Sequence, residues 1–215
     1  MHVVMDHGRV TFKAASPGPL IVGIGGTARP NSSTERLLRL ALLEAEGAGA
    51  RTRLFTADKL ELPPYDPVGH AADASPARAL IDALAVSAGV VIASPGYHGG
   101  ISGQLKNAID YIEDLRDAEP PYLEGRAVGI IVCASGWQAT ATTLASIRSV
   151  VHALRGWPTP LGVAVNSGSI EYDEHGAPVG PVRDQVRTMI GQVVGFVTGS
   201  LAGTAAGFQP ERVER

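Results

Sequence analysis

A single cysteine, Cys133, removes two ways of holding a chain together, the internal disulfide and the cysteine-built zinc site. Such cysteine poverty fits a reducing cytoplasm, which is the compartment expected here. The remaining metal candidates fare no better, because His2, His7, His70, His152 and His175 show no ligand-like spacing and no metal is expected. Charge is also scarce: 18% of residues are charged and the net charge is −3. That balance supplies no electrostatic reason to bind nucleic acid or an acidic membrane. No uncharged apolar run reaches the ~18 residues of a membrane helix. The opening MHVVMDHGRV lacks an apolar core and carries Asp6, so no secretion signal is expected.

What is plentiful is apolar and small. Hydrophobic residues make up 45% of 215 residues, which excludes a disordered or collagen-like chain. The 26 glycines and 15 prolines exceed the usual combined share of about 12%, so the chain is rich in turns. One domain of this length buries roughly 70% of its unfolded surface and needs no staple.

Short apolar runs alternate with helical patterns from Leu20 onward. Strands are expected at 20–24, 51–56, 89–94, 128–133 and 161–165, and helices at 33–48, 76–87, 101–116, 138–155 and 181–199. The prolines at 63, 64 and 67 make 58–74 a loop. The strands are almost continuously apolar, as in a parallel sheet covered on both faces. Right-handed crossovers then give an α/β, doubly wound, three-layer sandwich. Residues 1–19 read as an N-terminal extension with an edge-strand candidate, 20–199 as the domain and 200–215 as a C-terminal tail. Ligands of such folds sit beyond the carboxyl ends of the strands. The loops at 25–33, 94–101 and 134–138 are therefore the informative ones.

The first loop, Gly25-Gly26-Thr27-Ala28-Arg29-Pro30-Asn31-Ser32-Ser33-Thr34, lacks the Gly-Lys-Ser/Thr of a nucleotide P-loop. It also lacks a dinucleotide fingerprint, because Ala28 stands where a third glycine belongs and no acidic residue ends the second strand. It does place the hydroxyls of Thr27, Ser32, Ser33 and Thr34, together with Arg29, at a helix N-terminus. Free N–H groups and the helix dipole favour a phosphate there, and a guanidinium adds a charged fork. The same residues also suit a plain helix cap with Arg29 in solvent.

The second loop runs Ser94-Pro95-Gly96-Tyr97-His98-Gly99-Gly100-Ile101-Ser102-Gly103-Gln104-Leu105-Lys106-Asn107-Ala108-Ile109-Asp110. Its glycines allow backbone to approach a flat ring, and Tyr97 offers an aromatic wall. This stretch resembles the signature of the NADPH-dependent FMN reductase family: Ser-Pro-Glu-Tyr, small residues, then Gly-x-Leu-Lys-Asn-Ala-Ile/Leu-Asp. The first loop resembles that family's Gly-Ser-x-Arg-x-x-Ser phosphate loop, with Thr27 in place of the serine. A late acidic-Gly turn, Tyr172-Asp173-Glu174-His175-Gly176, is similar too, and the likeness covers about residues 20–198. One departure is Gly96, where the family usually has Glu; it puts in doubt any substrate gating by a side chain at that position.

The resemblance implies a flavodoxin-like five-stranded sheet of order 2-1-3-4-5, with FMN as cofactor and NAD(P)H as co-substrate. Hydride would pass to the flavin N5 and onward to free flavin or another small acceptor, or reduced flavin would go to a monooxygenase. By similarity the flavin contacts are Ser94, Pro95, Gly96, Tyr97, His98 and Gly99, with Ser135, Gly136 and Gln138 across the ring and Trp137 as a wall or packing residue. Lys106, Asn107 and Asp110 read as solvated or subunit-facing. Cys133 reads as a buried, inert thiol. No general acid is demanded, and no catalytic side chain is named. A homodimer or homotetramer is expected, because Leu144, Ile147, Val151 and Leu154 beside Ala139, Ala141 and Ala145 offer more apolar surface than one sheet face needs. Two other readings remain: a quinone or azo-compound reductase on the same site, and a flavodoxin-type electron carrier, which the modest charge of −3 fits less well.

Overall fold

The computed structural model describes residues 2–6, 9–13, 18–68 and 75–205, with side chains described over 18–68 and 75–199. The N-terminal segment forms β1 (His2–Asp6) and β2 (Arg9–Lys13), an antiparallel pair that makes its own two-stranded sheet. The Ser16-Pro17 break expected after it lies outside the described residues, as do 69–74 of the proline loop and 206–215 of the tail.

The main layers follow as β3 (Leu20–Gly25), α1 (Ser33–Gly47), β4 (Arg51–Phe55), α2 (Pro76–Ala85), β5 (Gly89–Tyr97), β6 (Gly100–Ile101), α3 (Gly103–Asp110), β7 (Ala127–Ala134), α4 (Trp137–Ala153), β8 (Trp157–Pro158), β9 (Val163–Asn166), β10 (Glu171–Tyr172), β11 (Pro178–Val179) and α5 (Pro181–Ala205). The parallel order is β4-β3-β5-β7, with β8 and β9 both on the outer edge of β7. This is the expected 2-1-3-4-5 winding, with the fifth strand split in two. The ladder to β7 uses the N–H groups of alternate residues, beginning with Trp157 N to Arg126 O (2.9 Å), and the split falls where the third donor of that series leaves β7. Thr159 N still donates to Val128 O (3.0 Å), whereas Leu161 N turns to Gln192 Oε1 (2.9 Å).

Successive strand residues face opposite layers, and each face has its own core. Val22, Ile24, Val90, Ile92, Val128 and Ile130 pack with Leu80 and Leu84 of α2, Leu105 of α3 and Ile147 and Val151 of α4. Ile21, Val91, Ala93, Ile131 and Val163 pack with Leu37, Leu38 and Ala41 of α1 and Val186, Met189 and Val193 of α5. Each fully buried aliphatic side chain contributes about 1.5–3 kcal/mol, so the layers stack without covalent help. Ile147 and Val151 are thus spent inside the chain's own core. The residues of α4 that stay exposed are Trp137, Gln138, Ala141, Thr142, Ala145, Ser146, Ser149, His152 and Ala153, so the face left for a partner is built of small residues beside one tryptophan and not of the aliphatic stripe.

Most element boundaries shift by a few residues from the expected ranges, and the shift that changes the architecture lies around residue 101. The helix expected from residue 101 starts at Gly103, with Ser102 as N-cap, and tightens into a 3-10 turn over Tyr111–Leu115. Ile101 instead belongs to β6, which folds back on β5 with Gly96 opposite Ile101 and Tyr97 opposite Gly100. His98 (φ 52°) and Gly99 (φ 79°) form the two-residue turn. Two positive φ values in succession match the twist of a tight hairpin, and glycine takes one of them without strain.

Candidate functional site

The carboxyl ends of β3, β5, β7 and β9 surround a cavity of about 320 Å³. One wall is the first loop and the start of α1: Thr27, Arg29, Ser32, Ser33 and Thr34. The second is Pro95, Gly96 and Tyr97 at the end of β5. The third is Cys133, Ala134 and Ser135 at the end of β7, with Ser167 beyond β9. Nine of the residues expected from sequence are therefore brought together. His98, Gly99 and Gly136 line a neighbouring hollow of about 520 Å³ with Gln138, Ala139 and Thr142. Ser94 lines neither. It is fully buried, donates to Pro95 O (2.8 Å) and accepts from Ser102 N (3.2 Å).

The sequence reading missed Ala134 and Ser167 as lining residues and took Cys133 as inert. Cys133 and Ala134 are the last residues of a sheet strand and Ser167 follows one directly. The rule that ligands gather at strand carboxyl ends could have pointed to all three.

Local chemistry explains the first wall. Ser32 caps α1: its Oγ accepts from Glu35 N (3.2 Å), while Glu35 Oε2 accepts from Asn31 N (2.8 Å). That reciprocal arrangement is close to a capping box. Ser32 thus caps α1 and also lines the cavity. Glu35 also pairs with Arg39 at 2.7 Å, so its buried carboxylate is matched and does not oppose an anion in the cavity. Thr27 Oγ1 accepts from Arg29 N (3.2 Å) and shapes the turn. The N–H groups of Ser33 and Thr34 open the helix and have no preceding turn to donate to. With the Ser33 and Thr34 hydroxyls and the exposed Arg29 guanidinium, they form a donor-rich, cationic corner suited to a phosphate.

The other two walls are mostly backbone. A Cβ on Gly96 would sit 3.0 Å from Ala134 Cβ, 3.1 Å from Ala139 O and 3.2 Å from Thr143 Oγ1. Glycine there lets the end of β5 close onto the start of α4. Tyr97 is 59% exposed and Trp137 62% exposed. Tyr97 is thus an open wall of the cavity, whereas Trp137 lines a separate hollow against α5. The Cys133 thiol is pushed up to about 12, first by burial, with a Thr34 hydrogen bond opposing. It is a neutral part of the lining at any physiological pH.

The first and second loops are locked to each other. Ser102 Oγ donates to Gly26 O (2.7 Å) and accepts from Leu105 N (3.3 Å). A Cβ on Gly26 would overlap Leu105 and Ser102, so only glycine permits this approach. Asn107, expected at the surface, instead pins the proline loop: its Oδ1 accepts from Tyr65 N (2.8 Å) and its Nδ2 donates to Pro63 O (2.8 Å). Lys106 and Asp110 pair with each other at 2.6 Å on the exposed face of α3.

Residues 19–169 match the family described as NADPH-dependent FMN reductase. An iron-sulfur flavoprotein of Archaeoglobus fulgidus is 30% identical over 123 residues, 54% of this chain and 62% of that protein. An FMN-dependent NADPH-azoreductase of Staphylococcus aureus is 29% identical over 89 residues, 41% of this chain and 43% of that protein. The matched segments span less than two thirds of either relative. Among solved structures, FerB, a flavoenzyme NAD(P)H:(acceptor) oxidoreductase from Paracoccus denitrificans, superposes with a TM-score of 0.70 at 19% identity, covering 84% of this chain and 98% of that one. An NADH:FMN oxidoreductase, EMOB, superposes with a TM-score of 0.64 at 20% identity, covering 84% and 89%. These structural likenesses establish the flavodoxin-like fold.

Proposed function

The chain belongs to the NADPH-dependent FMN reductase family, and on that premise we propose that it is an NAD(P)H-dependent flavin oxidoreductase that binds FMN in the three-loop cavity. The observation that carries the reading is the pairing, in one cavity, of a phosphate-suited corner with two backbone walls. A flavin mononucleotide has the same two ends, one anionic and one flat and polar-edged. When bound, the flavin supplies the hydride and electron chemistry, and the protein supplies binding and orientation.

In this reading Arg29, the Ser33 and Thr34 hydroxyls and the opening N–H groups of α1 hold the phosphate. Pro95, Gly96 and Tyr97 face one part of the ring system, and Ala134 and Ser135 another. Ser94 supports them from beneath through Ser102. His98, Gly99 and Gly136 border the adjoining hollow, where a co-substrate or acceptor has room. No side chain is required to move a proton.

The proposal extends to a homodimer or homotetramer, supported by the small-residue face of α4, and to a cytoplasmic location. Among the described residues no helix is long and apolar enough to cross a membrane. The acceptor is a free flavin, a quinone or azo compound, or a monooxygenase fed with reduced flavin. Consumption of NADPH and NADH against FMN, a quinone and an azo dye separates these acceptors, and light scattering reads the oligomer.

The decisive test is Arg29→Ala. A hydrogen bond to a charged group is worth about 1.5–3 kcal/mol, or roughly 10- to 150-fold in affinity. Because Arg29 is exposed, the lower end is expected for FMN, with riboflavin unaffected. Equal losses for the two ligands would remove the phosphate assignment.

A further inference from the structure

The acidic-Gly turn noted in the sequence has no part in the cavity wall, yet it is fastened to the helix that forms one. β10 and β11 pair antiparallel, Glu171 opposite Val179 and Tyr172 opposite Pro178. Between them Asp173 accepts from His175 N (2.9 Å) and Ala177 N (2.8 Å), which makes a compact, self-supported turn. Three contacts cross from this hairpin to α1. Arg36 donates through Nη1 to Gly176 O (3.0 Å), its guanidinium lies 5.1 Å from the Tyr172 ring centroid, and the Tyr172 hydroxyl donates to Ser33 Oγ (3.0 Å). The same Arg36 donates through Nε to Asn31 O (2.9 Å), so one guanidinium ties the hairpin to the first loop.

We propose that Tyr172 is a positioning residue for the phosphate of the bound flavin nucleotide, acting through Ser33; this rests on the FMN reading above. Ser33 lines the cavity and Tyr172 does not. A serine hydroxyl has one hydrogen to donate and two lone pairs. With Tyr172 donating to one lone pair, the Ser33 hydrogen is left for an anion in the cavity. A hydroxyl that accepts a hydrogen bond is also polarised into a stronger donor. The stacking of Arg36 on the Tyr172 ring holds the phenol in place whether or not ligand is present. The hairpin therefore presets one rotor of the phosphate corner and lowers the ordering cost on binding.

The test uses the full chain and two probes, FMN and riboflavin, titrated against wild type, Tyr172→Phe, Ser33→Ala and the double variant. Tyr172→Phe keeps the ring under Arg36, so the hairpin stays docked. The expected result is an FMN affinity about 2- to 10-fold weaker in Tyr172→Phe, the range for one neutral hydrogen bond, with riboflavin unchanged. In the Ser33→Ala background the second substitution should add nothing further. The phosphorus resonance of bound FMN should also move between wild type and Tyr172→Phe, a signature that a purely structural tyrosine would not produce. Unchanged FMN affinity in Tyr172→Phe, or equal losses for FMN and riboflavin, would overturn the proposal while leaving the FMN reading standing. A wild type with no preference for FMN over riboflavin would overturn both.

Discussion

Ser102 joins the two loops that face each other across the cavity, and Ser102→Ala tests how much that junction matters. The substitution removes two hydrogen bonds at once. The α3 N–H of Leu105 loses its cap, worth about 0.5–2 kcal/mol. The buried Gly26 carbonyl loses the hydroxyl at 2.7 Å, and a buried acceptor left unpaired costs about 1–3 kcal/mol. The two effects share one side chain and overlap, so the expected destabilisation is about 2–4 kcal/mol. For a domain of this size that lowers Tm by roughly 5–15 °C. Ser75→Ala is the matched control. Ser75 caps α2 by accepting from Arg78 N at 3.0 Å, and among the described residues its side chain has no further hydrogen bond of the kind Ser102 makes between loops. It should lose about 1 kcal/mol. Urea denaturation of both variants gives the difference directly, and an FMN titration shows whether the cavity walls move apart. The reasoning fails if Ser102→Ala costs no more than Ser75→Ala, because the Gly26 bond would then contribute nothing.

Three further outcomes are expected, two at Cys133 and one at Arg126. Cys133, held near pKa 12 against an ordinary 9.0, should react with a thiol reagent at pH 8 about a thousandfold more slowly in the native chain than after unfolding. Because its folded pKa is the higher one, its contribution to stability is complete below pH 9 and lost as pH rises toward about 12, and a urea series across that window would show the decline. Arg126 is buried and donates to the carbonyls of Ala85, Ser87 and Tyr122 at 2.9–3.0 Å, with burial lowering its pKa. Arg126→Leu should cost about 2–4 kcal/mol in urea denaturation by orphaning those carbonyls. Its FMN affinity should hold, since Arg126 precedes β7 at the end of the sheet away from the cavity; a large affinity loss would contradict that separation.

The sequence alone determined the layers, because apolar runs and helical spacing are local patterns. Runs such as Val90–Ala93 and Val128–Cys133 cannot be satisfied except between two covered faces, and the alternation with helices leaves parallel winding as the solution. That Thr27, Arg29, Ser32, Ser33 and Thr34 would share one donor-rich corner was legible for the same reason: hydroxyls, Arg29 and a helix start lie within eight residues. Tertiary structure decided everything that depends on distant partners. Whether residue 101 opens a helix or pairs back on β5 turned on the His98-Gly99 turn and on Gly96 meeting Ile101. Asn107 became a clamp on the proline loop because residues 62–65 fold over it, 42 positions away from Tyr65. Ile147 and Val151 looked available for a partner subunit until the first core claimed them. The Tyr172 hydroxyl reaches Ser33 across 139 positions, and nothing in either local pattern encodes that distance. A residue's neighbours in sequence set its backbone preference, but the acceptor its hydroxyl finds is set only when the layers close.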